Sequence, residues 1–239
     1  MILIDCIADC HGIYPDLPSG DLLIIAGDIT ARDTIPEWKE FFDWLKEQNY
    51  EKKILIGGNH DNFLENCLPT NSKIAKKILE LDEGTPEEVF HEYLCDSGTE
   101  YKGLNIWGSP WTDWFSNVNP VCKAFMDKSN VLGEKFNLIP QDTDILITHT
   151  PPIYILDQSK NSIRCGSPEL TYAMPDNVSL NIFGHIHECH GQWLIGSDRL
   201  YVNACVVDEN YDHNIDYVRI VYDEKQKKAI SVESRKDLT

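Results

Sequence analysis

ILIDCIADCHG, residues 2–12, runs from a short apolar segment directly into Asp9, His11 and Gly12. The apolar part is nearly continuous rather than alternating, which suits a strand covered on both faces. The same arrangement returns along the chain. LLIIA (22–26) precedes Gly27 and Asp28, and KILI (53–56) precedes Gly57, Gly58, Asn59, His60 and Asp61. DILIT (144–148) leads to His149, and LNIF (180–183) leads to Gly184, His185 and His187. Strand ends on one side of a layered sheet are neighbours in space, so five segments distant in sequence can meet in one crevice.

Between and after these runs the pattern changes. In TIPEWKEFFDWLKEQ, Ile35, Trp38, Phe41, Phe42 and Leu45 recur three or four apart, with Pro36 where a first helical turn tolerates it, which predicts an amphipathic helix. SKIAKKILEL (72–81), TPEEVFHEYL (85–94) and NPVCKAFMDKSNVLGEKFN (119–137) read as further helices, the last broken near Gly133. LNIWG (104–108) is another strand. LYVNACVV (200–207), YVRIVYD (217–223) and AISVES (229–234) read as a terminal antiparallel group. With 239 residues, 42% hydrophobic, and no internal repeat or long linker, the expectation is one domain over 1–239.

The bulk composition narrows the partners. Lys and Arg total 21 against 39 Asp and Glu, a formal charge of −18, and a field of that sign repels a polyanionic backbone. No nucleic-acid partner is expected. The start of the chain has no basic n-region, and its apolar runs fall far short of the roughly 20 residues a membrane helix needs. Eight cysteines (6, 10, 67, 95, 122, 165, 189, 205) are spread singly without a C-x-x-C pair, which points away from zinc ribbons and disulfide scaffolds and toward reduced thiols in a cytoplasm.

The residues at the strand ends are the parts of a two-metal centre. Such a centre needs a carboxylate to bridge, neutral imidazoles that leave positive charge unquenched, and open positions for water and substrate. The glycines beside them, Gly12, Gly27, Gly58 and Gly184, permit tight turns and close backbone approach. Manganese, iron and zinc suit His, Asp and Asn donors alike.

The five blocks D-C-H-G, G-D-I, G-G-N-H-D, T-H-T-P-P and G-H-I-H, in this order over residues 9–191, resemble the calcineurin-like metallophosphoesterase superfamily. Within it, WGSPWTDWF (107–115), KFNLIPQDTDILITHTPP (135–152) and GHIHECHG (184–191) look like the metallophosphoesterase-domain-containing phosphodiesterases of the brain-protein type. The resemblance implies an α/β fold, a four-layer α-β-β-α sandwich of two mixed sheets flanked by helices, with a dimetal site at the C-terminal ends of the strands. It implies that Asp9, His11 and His187 bind one divalent ion, that Asp28 bridges, and that Asn59, His149 and His185 bind the second. His60 would be the general acid, with Asp61 orienting its imidazole and Asn59 also touching substrate phosphate. Some members of the brain subgroup carry Gly in place of His185, with reduced activity; here that position is intact. The implied reaction is hydrolysis of a small phosphoester, a nucleotide or cyclic nucleotide, by hydroxide held between the ions.

Other readings compete with parts of this one. A phosphomonoesterase or phosphoprotein phosphatase uses the same centre, and a metal- or nucleotide-binding regulatory protein would keep it with incidental turnover. His91 and His213 read as surface groups and His190 as structural. Cys10 and Cys189 flank proposed ligands, so their oxidation could impair activity. Trp107, Trp111, Trp114 and Phe115 read first as core packing and second as a face for a nucleobase. Oligomeric state is not legible.

Overall fold

A computed structural model of the protein describes residues 1–66, 92–114 and 122–235. Strand β1 (Ile2–Ile7) lies at the middle of a six-stranded sheet. On one side β2 (Gly20–Ala26), β3 (Tyr50–Ile56) and β4 (Glu92–Tyr93) follow in parallel. On the other side β13 (Tyr217–Asp223) and β14 (Lys228–Arg235) are antiparallel. The second six-stranded sheet has the order β11 (Trp193–Ile195), β12 (Leu200–Asn203), β10 (Leu180–Phe183), β9 (Ile145–Thr148), β6 (Leu104–Ser109), β5 (Ser97–Tyr101). A short pair, β7 (Thr112–Asp113) and β8 (Met126–Asp127), stands apart.

The near-continuous apolar runs have their explanation in the layering. Ile4, Leu22, Ile24, Ile54 and Ile56 of the first sheet meet Ile106, Ile145, Ile147, Ile182 and Val202 of the second in one buried cluster. Alternate residues Leu23, Ile25 and Leu55 face outward onto Trp38, Phe41, Phe42 and Leu45 of helix α1 (Ile35–Glu47). On the far side Leu146 packs with Leu132 and Phe136 of α3 (Ser129–Phe136) and Leu170 of α4 (Pro168–Ala173). A short α2 (Asn62–Asn66) follows β3. Both faces of each sheet are therefore covered, and the four-layer α-β-β-α arrangement of mixed sheets is the one expected. Helix α1 begins in a capping box, with Thr34 and Glu37 bonding each other's backbone N–H groups.

Three sequence expectations require correction. LYVNACVV does not join an antiparallel group: β12 pairs parallel with β10 in the second sheet, and the chain crosses to the first sheet only afterwards. The helix expected over 119–137 starts at Ser129 and passes through Gly133 unbroken, since a glycine inside a helix costs only conformational entropy. Of the helix expected over 85–94, Glu92 and Tyr93 are a strand on β3 and Leu94 follows it outside any helix; residues 85–91, which include His91, together with 72–81 and Phe115, lie outside the described residues.

Candidate metal centre

The C-terminal ends of β1, β2 and β3 from one sheet and of β10 from the other open onto a single cleft of about 340 Å³, lined by His11, Asp28, Asn59, His60, His185 and His187 among others, with His149 at the end of β9 fully buried behind it. The turns that place these side chains are sharp. Asp9 (φ 52°), His11 (φ 45°), Asp28 (φ 53°) and His185 (φ 68°) all occupy the left-handed region, a conformation that costs a non-glycine residue and concentrates at functional sites. Backbone bonds lock the turns together: Asp9 N–H donates to Gly27 O (2.9 Å), His11 N–H to Asp28 O (3.1 Å), and Gly184 N–H to His149 O (3.1 Å).

Ligating atoms gather in three overlapping groups, Asp9 with His11 and His187, His11 with Asp28 and His60, and Asp28 with His149 and His185, each within 4.8 Å. Asp9 and Asp28 are 0% and 2% exposed. His187 Nε2 lies 3.1 Å from Asp9 Oδ1 and 3.2 Å from His11 Nε2. Asp28 faces both ways: Oδ1 is 3.4 Å from His149 Nε2, and Oδ2 is 3.9 Å from both His11 Nε2 and His60 Nε2. Asn59 Oδ1 is 3.1 Å from His149 Nε2. Two imidazole nitrogens 3.2 Å apart cannot both present lone pairs without a proton or cation between them. Buried carboxylates ringed by imidazoles, with no Lys or Arg lining this cleft among the described residues, are a donor set that fits divalent ions.

The calcineurin-like phosphoesterase family matches residues 2–189, which include every one of these positions. The chain belongs to that family. Metallophosphoesterase domain-containing protein 1 of Homo sapiens is 36% identical over 221 residues, covering 86% of this chain and 66% of that protein. A UPF0046 protein of Caenorhabditis elegans is 32% identical, covering 87% and 56%. The chain thus spans less than two thirds of these relatives. Among solved structures, a protein of Thermus thermophilus superposes with a TM-score of 0.59 over 98% of both chains at 14% identity, and the phosphopantetheinyl hydrolase of Mycobacterium tuberculosis with 0.52 over 87% and 90% at 14%, a likeness of fold.

Around this calcineurin-like centre the supporting contacts differ in part from expectation. Asp61 does not orient His60. Its carboxylate accepts the backbone N–H groups of Gly58 (2.9 Å), Ile29 (3.1 Å) and Thr30 (3.4 Å), tying the β2 and β3 turns together. His60 Nδ1 instead faces Ala31 O (3.2 Å) and Cys122 Sγ (3.3 Å). His190 Nδ1 bonds His187 O and His213 pairs with Asp216, so neither joins the cluster. Trp111 donates to Asp96 and packs edge-on against Phe125, Trp107 sits against the α3–α4 cluster, and none of the three described Trp of that segment lines the cleft. Cys10 and Cys189 are buried and burial raises both thiols, which makes them poor targets for oxidation.

Contacts missed in the sequence are Cys205, whose thiol donates to Asp9 Oδ2 (3.0 Å), Thr112 Oγ1, 3.3 Å from His185 Nε2, and Tyr211, whose ring meets His11 and His187. Applying the strand-end rule to LYVNACVV would have drawn attention to the loop that carries Tyr211.

The electrostatics set opposing protonation states side by side. Burial would keep Asp9 protonated, but the hydrogen bond and charge of His187 outweigh it and bring the carboxyl to about 2. Burial likewise opposes ionisation of Asp28, and the charges of His149, His60 and His11 overrule it, holding the group well below the usual range. Burial pulls His11 down to about 4 and His185 to about 3. For His149 burial is overcome by the charge and hydrogen bond of Asp28, and the ring rises to about 9.

A pH dependence follows for protein stripped of metal by a chelator. His149 binds its proton at about 9 when folded and at 6.5 otherwise, so its stabilisation is complete below pH 6.5 and is lost as pH rises through 9. His11 and His185 refuse protons that the unfolded chain accepts near 6.5, so stability also declines as pH falls below 6.5 toward 4 and 3. The melting temperature of the stripped protein is expected to peak near pH 6.5 and to drop by roughly 5–10 °C by pH 9. A melting temperature that climbs steadily from pH 6 to 9 contradicts the His149 pairing.

Proposed function

We propose that the protein is a dimetal-dependent phosphodiesterase acting on a small nucleotide or cyclic nucleotide. The observation that carries this reading is Asp28, buried between two His-containing groups with one carboxylate oxygen turned toward each. In this reading Asp9, His11 and His187 hold one ion, Asn59, His149 and His185 the other, and Asp28 is shared. Manganese, iron or zinc held there supplies positive charge to the non-bridging phosphate oxygens and acidifies water.

The protein's own groups do the rest. His60 donates Nδ1–H to the Ala31 carbonyl, which fixes the ring and leaves Nε2 toward the cleft to carry a proton to the departing oxygen. Asn59 lines the same cleft and offers its amide to a phosphate oxygen. Asp61 is a positioning residue, holding the loops that present Asp28 and Asn59.

Preference for a diester is supported by charge. Among the described residues the cleft wall has no Lys or Arg; it includes Glu188, and Glu209, which is paired with Lys160 Nζ at 3.3 Å beside the wall, so the remaining carboxylate charge opposes the second negative charge of a monoester. The free cysteines among the described residues fit a reducing, cytoplasmic setting. With manganese supplied, kcat/KM for bis-p-nitrophenyl phosphate is expected to exceed that for p-nitrophenyl phosphate by about tenfold, the effect of one more repelled charge at ~1–2 kcal/mol. Equal or reversed values assign the centre to monoester hydrolysis. Tight phosphate binding without turnover in fully metallated protein assigns it to a regulatory role.

A further inference from the structure

Tyr211 is 53% exposed and lines the cleft beside the clustered imidazoles. Its ring lies 5.0 Å from that of His11 at 68° and 4.9 Å from that of His187 at 83°. Both contacts are steep, so neither imidazole stacks on the tyrosine face, and no other ring does so among the described residues. An aromatic ring standing half in solvent at the edge of a binding cleft leaves apolar surface that a planar ligand group can cover.

The loop is built to hold it there. Tyr211 has φ 63°, an unfavourable conformation for a bulky residue. It persists because Asp208 organises the turn: Tyr211 N–H donates to Asp208 O (2.9 Å), and Asn210 N–H (2.8 Å) and Asp212 N–H (3.1 Å) both donate to Asp208 Oδ1. Asn214 Nδ2 donates to Asp208 Oδ2 (3.3 Å), and Val207 bridges His213 across the loop. Strained, over-determined backbone that delivers one aromatic side chain into a cleft is characteristic of a ligand-contacting position.

We infer that Tyr211 is the specificity-determining platform of this site, stacking the planar aromatic group of the phosphoester while its phosphate is held at the Asp–His cluster. The inference rests on the phosphoesterase reading above and adds to it the class of organic group preferred. It also moves the stacking role from the tryptophans of residues 107–114, which do not line the cleft, to a residue in the loop between β12 and β13.

The test uses methyl(phenyl)phosphinate and dimethylphosphinate, which carry the same singly charged head, as a diester does, and are not hydrolysed, titrated calorimetrically into manganese-loaded protein. Wild type is expected to bind the phenyl compound more tightly by about tenfold, the range of one aromatic stacking contact. Tyr211→Leu is expected to abolish that advantage while leaving dimethylphosphinate affinity and the manganese-induced rise in melting temperature unchanged, and Tyr211→Phe is expected to keep the advantage. If Tyr211→Leu weakens both phosphinates equally, or lowers the manganese response, the residue acts by supporting His11 and His187 and the platform is refuted. Wild type that hydrolyses phosphoesters but binds the two phosphinates equally, or binds neither, refutes the platform alone. Wild type that binds neither and hydrolyses no phosphoester removes the underlying function, and the platform with it.

Discussion

Asp28→Ala is expected to lower kcat by on the order of 10³-fold or more and to reduce bound metal from the proposed two ions per chain to one or fewer. The size comes from position. Asp28 is 2% exposed, and its Oδ1 faces His149 at 3.4 Å while Oδ2 faces His11 and His60 at 3.9 Å. It also accepts the His60 backbone N–H at 2.8 Å, so its loss releases the turn that presents the proposed proton donor. Removing it takes the anion from both proposed metal positions at once. His187→Ala, by contrast, deletes one terminal donor and leaves the Asp28, His149 and His185 group intact, so its cost is expected to be smaller. Metal content by mass spectrometry and turnover on bis-p-nitrophenyl phosphate measure both. Near wild-type turnover with two ions still bound in Asp28→Ala would refute the shared-ligand assignment.

That these His, Asp and Asn side chains gather in one place was legible because each sits where an apolar run stops. His149 after DILIT and His185 after LNIF needed no knowledge of which strands are neighbours. Strand order was not legible, because pairing is decided by contacts between distant segments: nothing in YVRIVYD says that it lies beside β1, and nothing in LYVNACVV says that it runs parallel to β10. Asp61 shows a local version of the same limit. Adjacent to His60 in sequence, it turns to backbone instead, because two N–H groups of the β2 loop and one of the β3 loop need an acceptor and the imidazole already has Ala31. The tryptophans and Tyr211 differ likewise in ways composition cannot reveal, since an aromatic residue in a loop reads the same whether it packs inward or faces a cleft.

Gly184→Ala is expected to be nearly as damaging to activity as removal of a ligand, although it deletes no functional group. A Cβ built on Gly184 lies 2.0 Å from Asp9 Oδ2 and 2.6 Å from Ala8 Cβ. That carboxylate oxygen already accepts the His185 N–H at 2.8 Å and the Cys205 thiol at 3.0 Å, and the other oxygen meets His187 at 3.1 Å. Retreat of the carboxylate from the methyl therefore breaks the contacts that set Asp9 against His187. Retreat of the backbone instead strains the Gly184 N–H to His149 O bond and displaces the turn carrying His185. Either route misplaces ligands by about an ångström, a displacement that can cost on the order of 10²-fold in turnover. Overpacking of this kind also destabilises the fold by roughly 1–3 kcal/mol. Gly12 is the useful contrast: a Cβ there meets nothing within 4 Å, so Gly12→Ala carries only the backbone penalty of its φ of 85°. Turnover, metal content and melting temperature of the two variants separate crowding from backbone strain. Full turnover with full metal content in Gly184→Ala would mean that Asp9 has room to move, and that the narrow gap between β10 and β1 is not what holds the carboxylate in place.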